Sequence, residues 1–253
     1  MTIKAITFDF WSTLYRSAPV DYAQRLRHLQ QAVEQGSGAT FEPEQFKAAV
    51  TVARDAWTQI WVQEFRTMPA NEWLAIMLSE LGISLRPEHL RSIQLGMEES
   101  VLEDGPTLVP EARAVLSGLS TRYRLGIISD TGLTPGRVLR RLLAQDQILG
   151  YFTRLTFSDE VGYSKPHPTV FLATLDALQA EPQAAVHVGD LIRTDIAGAQ
   201  GVGMRAVQYI GVNEAGSLST GDAPAAGVRP DAVIQNYTQL LPLLQQWNGL
   251  PGS

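Results

Sequence analysis

Three short apolar runs limit the folds open to this chain more than any other feature. Ile3 to Phe8, Leu125 to Ile128 and Ala184 to Val188 are rich in branched and aromatic residues, and each stops abruptly at a polar group: Asp9, Ser129-Asp130, and Asp190 after Gly189. Runs of this length and composition read as strands buried on both faces. Arg154 to Phe157, Arg205 to Ile210 and Asp231 to Ile234 are further strand candidates. Between and after them lie helical patterns at Pro110 to Leu119, Pro135 to Ala144 with Thr134 as cap, Pro168 to Leu178, Asp195 to Gln200 and, closing the chain, Tyr237 to Trp247. Strands alternating with helices predict an α/β fold, a doubly wound parallel sheet covered on both faces. Ligands bind such sheets at the carboxyl ends of the strands, which is where the polar residues stand.

Residues 16–105 break the alternation. Phe46, Ala49, Val50, Ala53, Trp57, Ile60 and Trp61 follow i, i+3, i+4 spacing, and Leu90, Ile93 and Met97 do the same, so the segment predicts an all-helical inserted subdomain. The rest, 1–15 and 106–253, is then the catalytic core, with hinges near Tyr15 to Pro19 and Glu103 to Thr107. Trp57, Trp61 and Trp73 fall in the insert. Helical aromatics usually form core, while a lid reading has Trp57, Trp61 or Arg25 selecting the substrate. Gly211 to Pro230, rich in glycine, serine, alanine and proline, predicts a long irregular loop.

Composition narrows the chemistry. With no cysteine among 253 residues, disulfides, thiolate metal sites and cysteine nucleophiles are excluded. Twenty basic against 26 acidic residues, a net charge of −6, disfavour nonspecific binding to nucleic acid and anionic membranes. No leader is evident at the N-terminus and no stretch approaches about 18 uninterrupted apolar residues. The expectation is a cytoplasmic enzyme with a small soluble substrate. Neither the natural substrate nor the oligomeric state is legible.

Four segments carry the polar groups: Phe8-Asp9-Phe10-Trp11-Ser12-Thr13-Leu14; Ile127-Ile128-Ser129-Asp130; Gly162-Tyr163-Ser164-Lys165-Pro166-His167-Pro168; and Val188-Gly189-Asp190-Leu191-Ile192-Arg193-Thr194-Asp195. A lone aspartate after a strand is more often a turn or helix cap. His167, between two prolines, and His187, at a strand end, read as structural. Lys165 is one of only three lysines, with Lys4 and Lys47.

Taken together and in this order, the four segments resemble the motifs of the haloacid dehalogenase superfamily. The run from Tyr151-Phe152 through Glu160-Val161-Gly162 to Phe171 is also similar to the family's. The resemblance implies a Rossmann-like core with a helical cap inserted after the first motif. It implies Asp9 as nucleophile, with Ser129 and Lys165 as catalytic partners. Phe10, Trp11, Ser129, Asp130 and Lys165 become substrate-binding residues. Asp9, Asp190, Asp195 and the Trp11 carbonyl become a magnesium site, with Asp195 a water-bridged rather than direct ligand. Physical chemistry agrees: carboxylates about 4 Å apart repel by roughly 4 kcal/mol at an effective dielectric near 20, and all-oxygen donors suit Mg2+. The implied reaction is phosphoryl transfer from a small phosphorylated metabolite through an aspartyl phosphate.

Trp11 departs from the pattern. Family phosphatases carry an aspartate there that protonates the leaving group, and an indole can neither donate nor accept that proton at ordinary pH. An aromatic residue at this position also resembles the metal-free 2-haloacid dehalogenases, which displace halide from carbon. Those are the competing enzymatic reading. A binding protein that kept the fold and lost turnover is the third.

Overall fold

The chain enters through strand β1 (Ala5–Phe8), buried along its whole length, and the computed structural model describes residues 2–17, 21–103, 105–212 and 227–249. Strand β2 (Tyr15–Arg16) follows, then helices α1 (Tyr22–Ser37), α2 (Pro43–Gln59), α3 (Ala70–Glu80) and α4 (Pro87–Glu99), then strand β3 (Thr107–Leu108). The remainder alternates: α5 (Ala112–Ser120), β4 (Arg124–Ser129), α6 (Gly136–Gln145), β5 (Phe152–Phe157), α7 (Ser158–Val161), α8 (Pro168–Ala177), β6 (Ala185–Gly189), α9 (Ala197–Gly201), β7 (Arg205–Tyr209), β8 (Ala232–Ile234) and α10 (Leu240–Trp247).

Among the described residues, six strands form one parallel sheet in the order β5-β4-β1-β6-β7-β8. The order reverses at β1, because β4 and β5 lie on one side of it and β6, β7 and β8 on the other. Alternating side chains explain the layers. Ile6, Phe8, Val186 and Val188 pack with Leu116, Leu139, Leu142 and Leu244 of α5, α6 and α10. Ala5 and Ala185 face the opposite side with Val170, Phe171 and Leu175 of α8 and Ala199 of α9. Both faces are covered, as the near-continuous apolar runs require.

The insert has an apolar core of its own, built from Val33, Phe46, Ala49, Val50, Ala53, Trp73, Leu74, Met77 and Ile93. Trp73 is therefore core. Among the described residues, no helix is long and apolar enough to cross a membrane.

Three details depart from the sequence reading. A two-stranded antiparallel ribbon, β2 with β3, ties together the two places where the chain passes between sheet and insert; two-residue strands are too short to show a period. Helix α6 is not capped by Thr134. Pro135 precedes it, and the Gly136 N–H donates to the Asp159 carboxylate at 3.1 and 3.2 Å. The helix expected over Asp195 to Gln200 begins earlier, as a π-helical turn at Ile192–Ile196, before continuing as α9. Arg25 is exposed on α1. Most of the loop expected over Gly211 to Pro230, and residues 18–19 and 104 of the expected hinges, lie outside the described residues.

Candidate active site

Parallel strands β1, β4 and β6 end together, and their ends deliver the polar groups. Asp9 lies one residue beyond β1, and its N–H still bonds to the Val188 carbonyl at 2.8 Å. The loop then turns tightly, with Ser12 in the left-handed region (φ 54°) and the amides of Leu14 and Tyr15 donating to the Phe10 carbonyl at 3.0 and 2.9 Å. The Phe10 ring is fully buried, stacked on Tyr15 at 4.4 Å. The loop therefore leaves the Phe10 ring in the core, so that only its backbone lies beside Asp9, whereas the Trp11 side chain is partly buried.

Lys165 joins the strand ends. Its Nζ donates to Asp9 Oδ1 at 2.5 Å and to Asp195 Oδ1 at 2.6 Å, and all three side chains are buried. Asp195 reaches this position because the π-helical turn folds its carboxylate back onto the Leu191 N–H, 3.0 Å from Oδ2. Gly189 makes room: a Cβ there would lie 2.3 Å from Asp195 Cγ. His187 Nε2 completes the set at 3.0 Å from Asp195 Oδ1.

His187, which reads as structural in the sequence, is thus brought to the charge cluster. Register explains it. Thr7 and His187 are paired across β1 and β6, facing α8, where the Phe171 ring meets the imidazole edge-on at 5.3 Å. Burial lowers the affinity of His187 for a second proton, outweighing the attraction of Asp195. The neutral ring donates from Nε2 to Asp195 and accepts at Nδ1 from the Thr7 hydroxyl, 2.8 Å away. His167 remains structural, accepting the Thr169 N–H at the start of α8 and stacking on Tyr163 at 4.0 Å.

Ser129 closes β4, and its hydroxyl contacts the Asp130 carbonyl at 3.3 Å. The Asp130 carboxylate turns away from the cluster: Oδ1 accepts the Lys165 N–H at 2.9 Å and Oδ2 the Trp61 indole N–H at 2.8 Å. Trp61 comes from the insert. It stacks on Trp57 at 5.6 Å and lies under the Arg193 guanidinium at 4.3 Å. The Phe65 carbonyl accepts the Ser164 N–H at 2.6 Å, and the Thr67 hydroxyl meets Ser158 and, at 3.3 Å, Ser164. Phe65, Thr67, Ser158 and Ser164 are given no role by the sequence reading, and Trp61 enters it as helical core or as a substrate-selecting lid residue, not as a partner of Asp130.

The electrostatics are set by burial and by one lysine shared among several carboxylates. Burial disfavours the Lys165 ammonium, but Asp195, Asp9 and Asp130 more than offset that and raise its proton affinity. Burial likewise opposes ionisation of Asp195, yet Lys165 and His187 hold it well below the usual carboxylate range. Asp9 goes the other way, pushed up to about 7 by burial and by the negative charges of Asp195 and Asp130, with Lys165 opposing. Asp190 is raised by burial, Asp9 and Asp195. Burial is the larger cause at both carboxylates, and neighbouring carboxylates then raise the proton affinity of each further, which a nearby cation would lower again.

The residues present fit a magnesium ion. Among the described residues, no three histidine, aspartate or glutamate side chains gather as a cage. Magnesium does not need one, since it is bound through one or two carboxylates, retained waters and substrate phosphate oxygens. Asp9 and Asp190 would supply the carboxylates. Asp195, engaged by Lys165, His187 and the Leu191 N–H, suits an outer, water-bridged role.

Comparison with known proteins narrows the setting. The chain is 40% identical over 102 residues to a glyceraldehyde 3-phosphate phosphatase of Pyrococcus abyssi, an alignment covering 40% of this chain and only 42% of that protein. It is 27% identical to a ribulose-1,5-bisphosphate 5-phosphatase of Halopiger xanaduensis, over 95% of this chain and 98% of the other. A 2-haloacid dehalogenase structure from Pseudomonas syringae superposes with a TM-score of 0.67 at 28% identity, over 97% and 100% of the two chains. The sequence profile of the haloacid dehalogenase-like hydrolases matches residues 3–203. That span runs from the strand carrying Asp9 to beyond the turn carrying Asp195, and the chain belongs to the haloacid dehalogenase-like hydrolase family.

Proposed function

We propose that this chain is a magnesium-dependent phosphatase of small phosphorylated metabolites, working through an aspartyl phosphate on Asp9. Residues 1–15 and 106–253 form its catalytic core, and residues 16–105 act as a cap. The observation that carries this reading is Asp190: a carboxylate raised by burial and by its neighbour Asp9, with no ion-pair partner among the described residues, beside a lysine already shared by Asp9 and Asp195. The phosphatases among its relatives point the same way.

Asp9 Oδ attacks phosphorus, and the ester oxygen leaves with the bonding electron pair. Water then attacks the acyl phosphate, releasing inorganic phosphate and restoring the carboxylate. Lys165 holds Asp9 and neutralises a phosphoryl oxygen, while Ser129 and loop amides bind the others. Bound at Asp9, Asp190 and the Trp11 carbonyl, magnesium would supply Lewis-acid charge neutralisation. Phe10, Asp130 and Trp11 then contribute to the substrate loop through backbone groups and, for Trp11, its ring. Because Trp11 provides no proton, leaving groups that depart unprotonated react best, and the second step is slow.

A second reading, dehalogenation of a 2-haloacid by Asp9, is favoured by Trp11 and by the Pseudomonas likeness. Against it, the substrate carboxylate would enter a site where Asp190 already lacks a partner. The test compares phosphate release from p-nitrophenyl phosphate and acetyl phosphate, with and without chelator, against chloride release from 2-chloropropionate. Chelator-sensitive phosphate release with a burst of nitrophenol is expected. Chloride release that survives the chelator would replace this reading with the second, and magnesium binding by calorimetry without either turnover would mark a binding protein.

A further inference from the structure

The insert meets the core near the site through a distorted helix end. Helix α2 passes into a π-helical turn at Ile60–Glu64, a widening that is rare outside functional regions. The chain leaves it at Phe65 in the left-handed conformation (φ 51°), unfavourable for a bulky residue. The distortion delivers the Phe65 carbonyl to the Ser164 N–H and the Trp61 indole to Asp130. Asp130 in turn accepts the Lys165 N–H. Two consecutive amides of the lysine loop, Ser164 and Lys165, are therefore held from the insert, one directly and one through Asp130.

A carboxylate is the side chain this junction requires. Two N–H donors approach different oxygens of Asp130, and a carboxylate accepts at both. An asparagine has one acceptor oxygen, and its amino group would oppose one of the donors. The charge also strengthens both bonds, which are 2.8 and 2.9 Å long and part-buried.

We propose that Trp61 and Asp130 are positioning residues through which the docked insert sets the place of Lys165, so that its ammonium lies between Asp9 and Asp195 only while the indole N–H is engaged. The proposal rests on the cap and phosphatase reading above for its effect on turnover, and on geometry alone for the contact itself.

The test is a double-mutant cycle on the full chain with Trp61→Phe, which keeps an aromatic ring against Trp57 and Arg193 and removes the N–H, and Asp130→Asn. Steady-state rates on p-nitrophenyl phosphate and amide hydrogen exchange at Ser164 and Lys165 are read in each. Each single variant should lower kcat about ten- to a hundredfold, as expected when a reacting group is misplaced by about 1 Å, with KM changed less than about threefold. Both should accelerate exchange at Lys165. The double variant should be no slower than the worse single one, because both remove one contact.

Losses that multiply in the double variant, or a Trp61→Phe protein with wild-type kcat and exchange, would overturn the proposal. Trp61→Phe decides it even if Asp130→Asn fails to fold. Altered exchange in Trp61→Phe, with a wild type that hydrolyses no phosphate ester, would uphold the contact and reject the phosphatase reading instead.

Discussion

Two of the places where carboxylates meet cations differ in their surroundings, and the surroundings make them different interactions. At the sheet edge, the side chains of Lys165, Asp9 and Asp195 are 3%, 7% and 1% exposed. At the seam between α4 and α6, Arg137, Arg141 and Glu99 are 45%, 53% and 35% exposed; Arg137 bridges Glu99 and the more buried Glu98, 9% exposed, while Arg141 reaches Glu99 at 3.0 Å. Water and salt compete with the second group and hardly reach the first. A buried ion pair is held together by the cost of leaving either partner alone, whereas an exposed one loses little when broken.

The largest effect should come from breaking the buried group at its shared member. Lys165→Met leaves Asp9 and Asp195 without their ammonium, so turnover should vanish and unfolding free energy fall by about 3–5 kcal/mol, read by urea denaturation. A loss below about 1 kcal/mol would mean the sheet edge behaves like the exposed seam, and the contrast would collapse.

Asp9→Asn should be the next largest, with the opposite sign for stability. Asp9 holds its proton up to about 7 in the folded chain, against an ordinary 3.8, chiefly through burial. The folded state therefore binds that proton more tightly than the unfolded one. The resulting stability is present below about pH 4 and lost as pH rises through about 7. Asparagine does not titrate, so metal-free Asp9→Asn should be inactive yet more stable than wild type at pH 8, by up to about 4 kcal/mol. Magnesium should narrow the gap by stabilising only the wild type. Equal melting curves for the two metal-free proteins from pH 5 to 8 would refute this account of Asp9.

The smallest effect belongs to the exposed seam. Arg137 and Arg141 hold the Glu99 carboxyl below its ordinary range, so its contribution is present above about pH 4.5 and disappears as pH falls through the lowered value. Glu99→Gln should melt within the scatter of wild type. Any difference seen in dilute buffer should vanish in about 1 M salt, where the screening length is about 3 Å; the Lys165→Met deficit should persist there. A salt-resistant loss in Glu99→Gln would show that the seam is desolvated in solution.

Much of the fold was written in local pattern. Short apolar runs bounded by polar residues report strands because a strand buried on both faces needs apolar side chains at every position, and each of the six strands was legible to within two residues. Amphipathic spacing in 16–105 reported helices for the same reason. Trp57, Trp61 and Trp73 share that pattern, yet Trp73 lies in the insert's core while Trp61 contacts Asp130. Periodicity says that a residue faces inward; it does not say inward to what.

The sequence by itself determined the alternating order, the insert's place after Asp9, and the polar residues delivered at the strand ends, because each of these depends on neighbours along the chain. Tertiary structure alone decided that Lys165 is shared between residues 156 and 30 positions away, that strand register brings His187 onto Asp195 through Thr7's partner strand, and that Asp130 faces the insert. The physical reason is common to all three. A hydrogen bond is settled by distances of a few ångström between side chains, and those distances are set by sheet register, a π-helical turn and the docking of the insert, which join segments far apart in the chain.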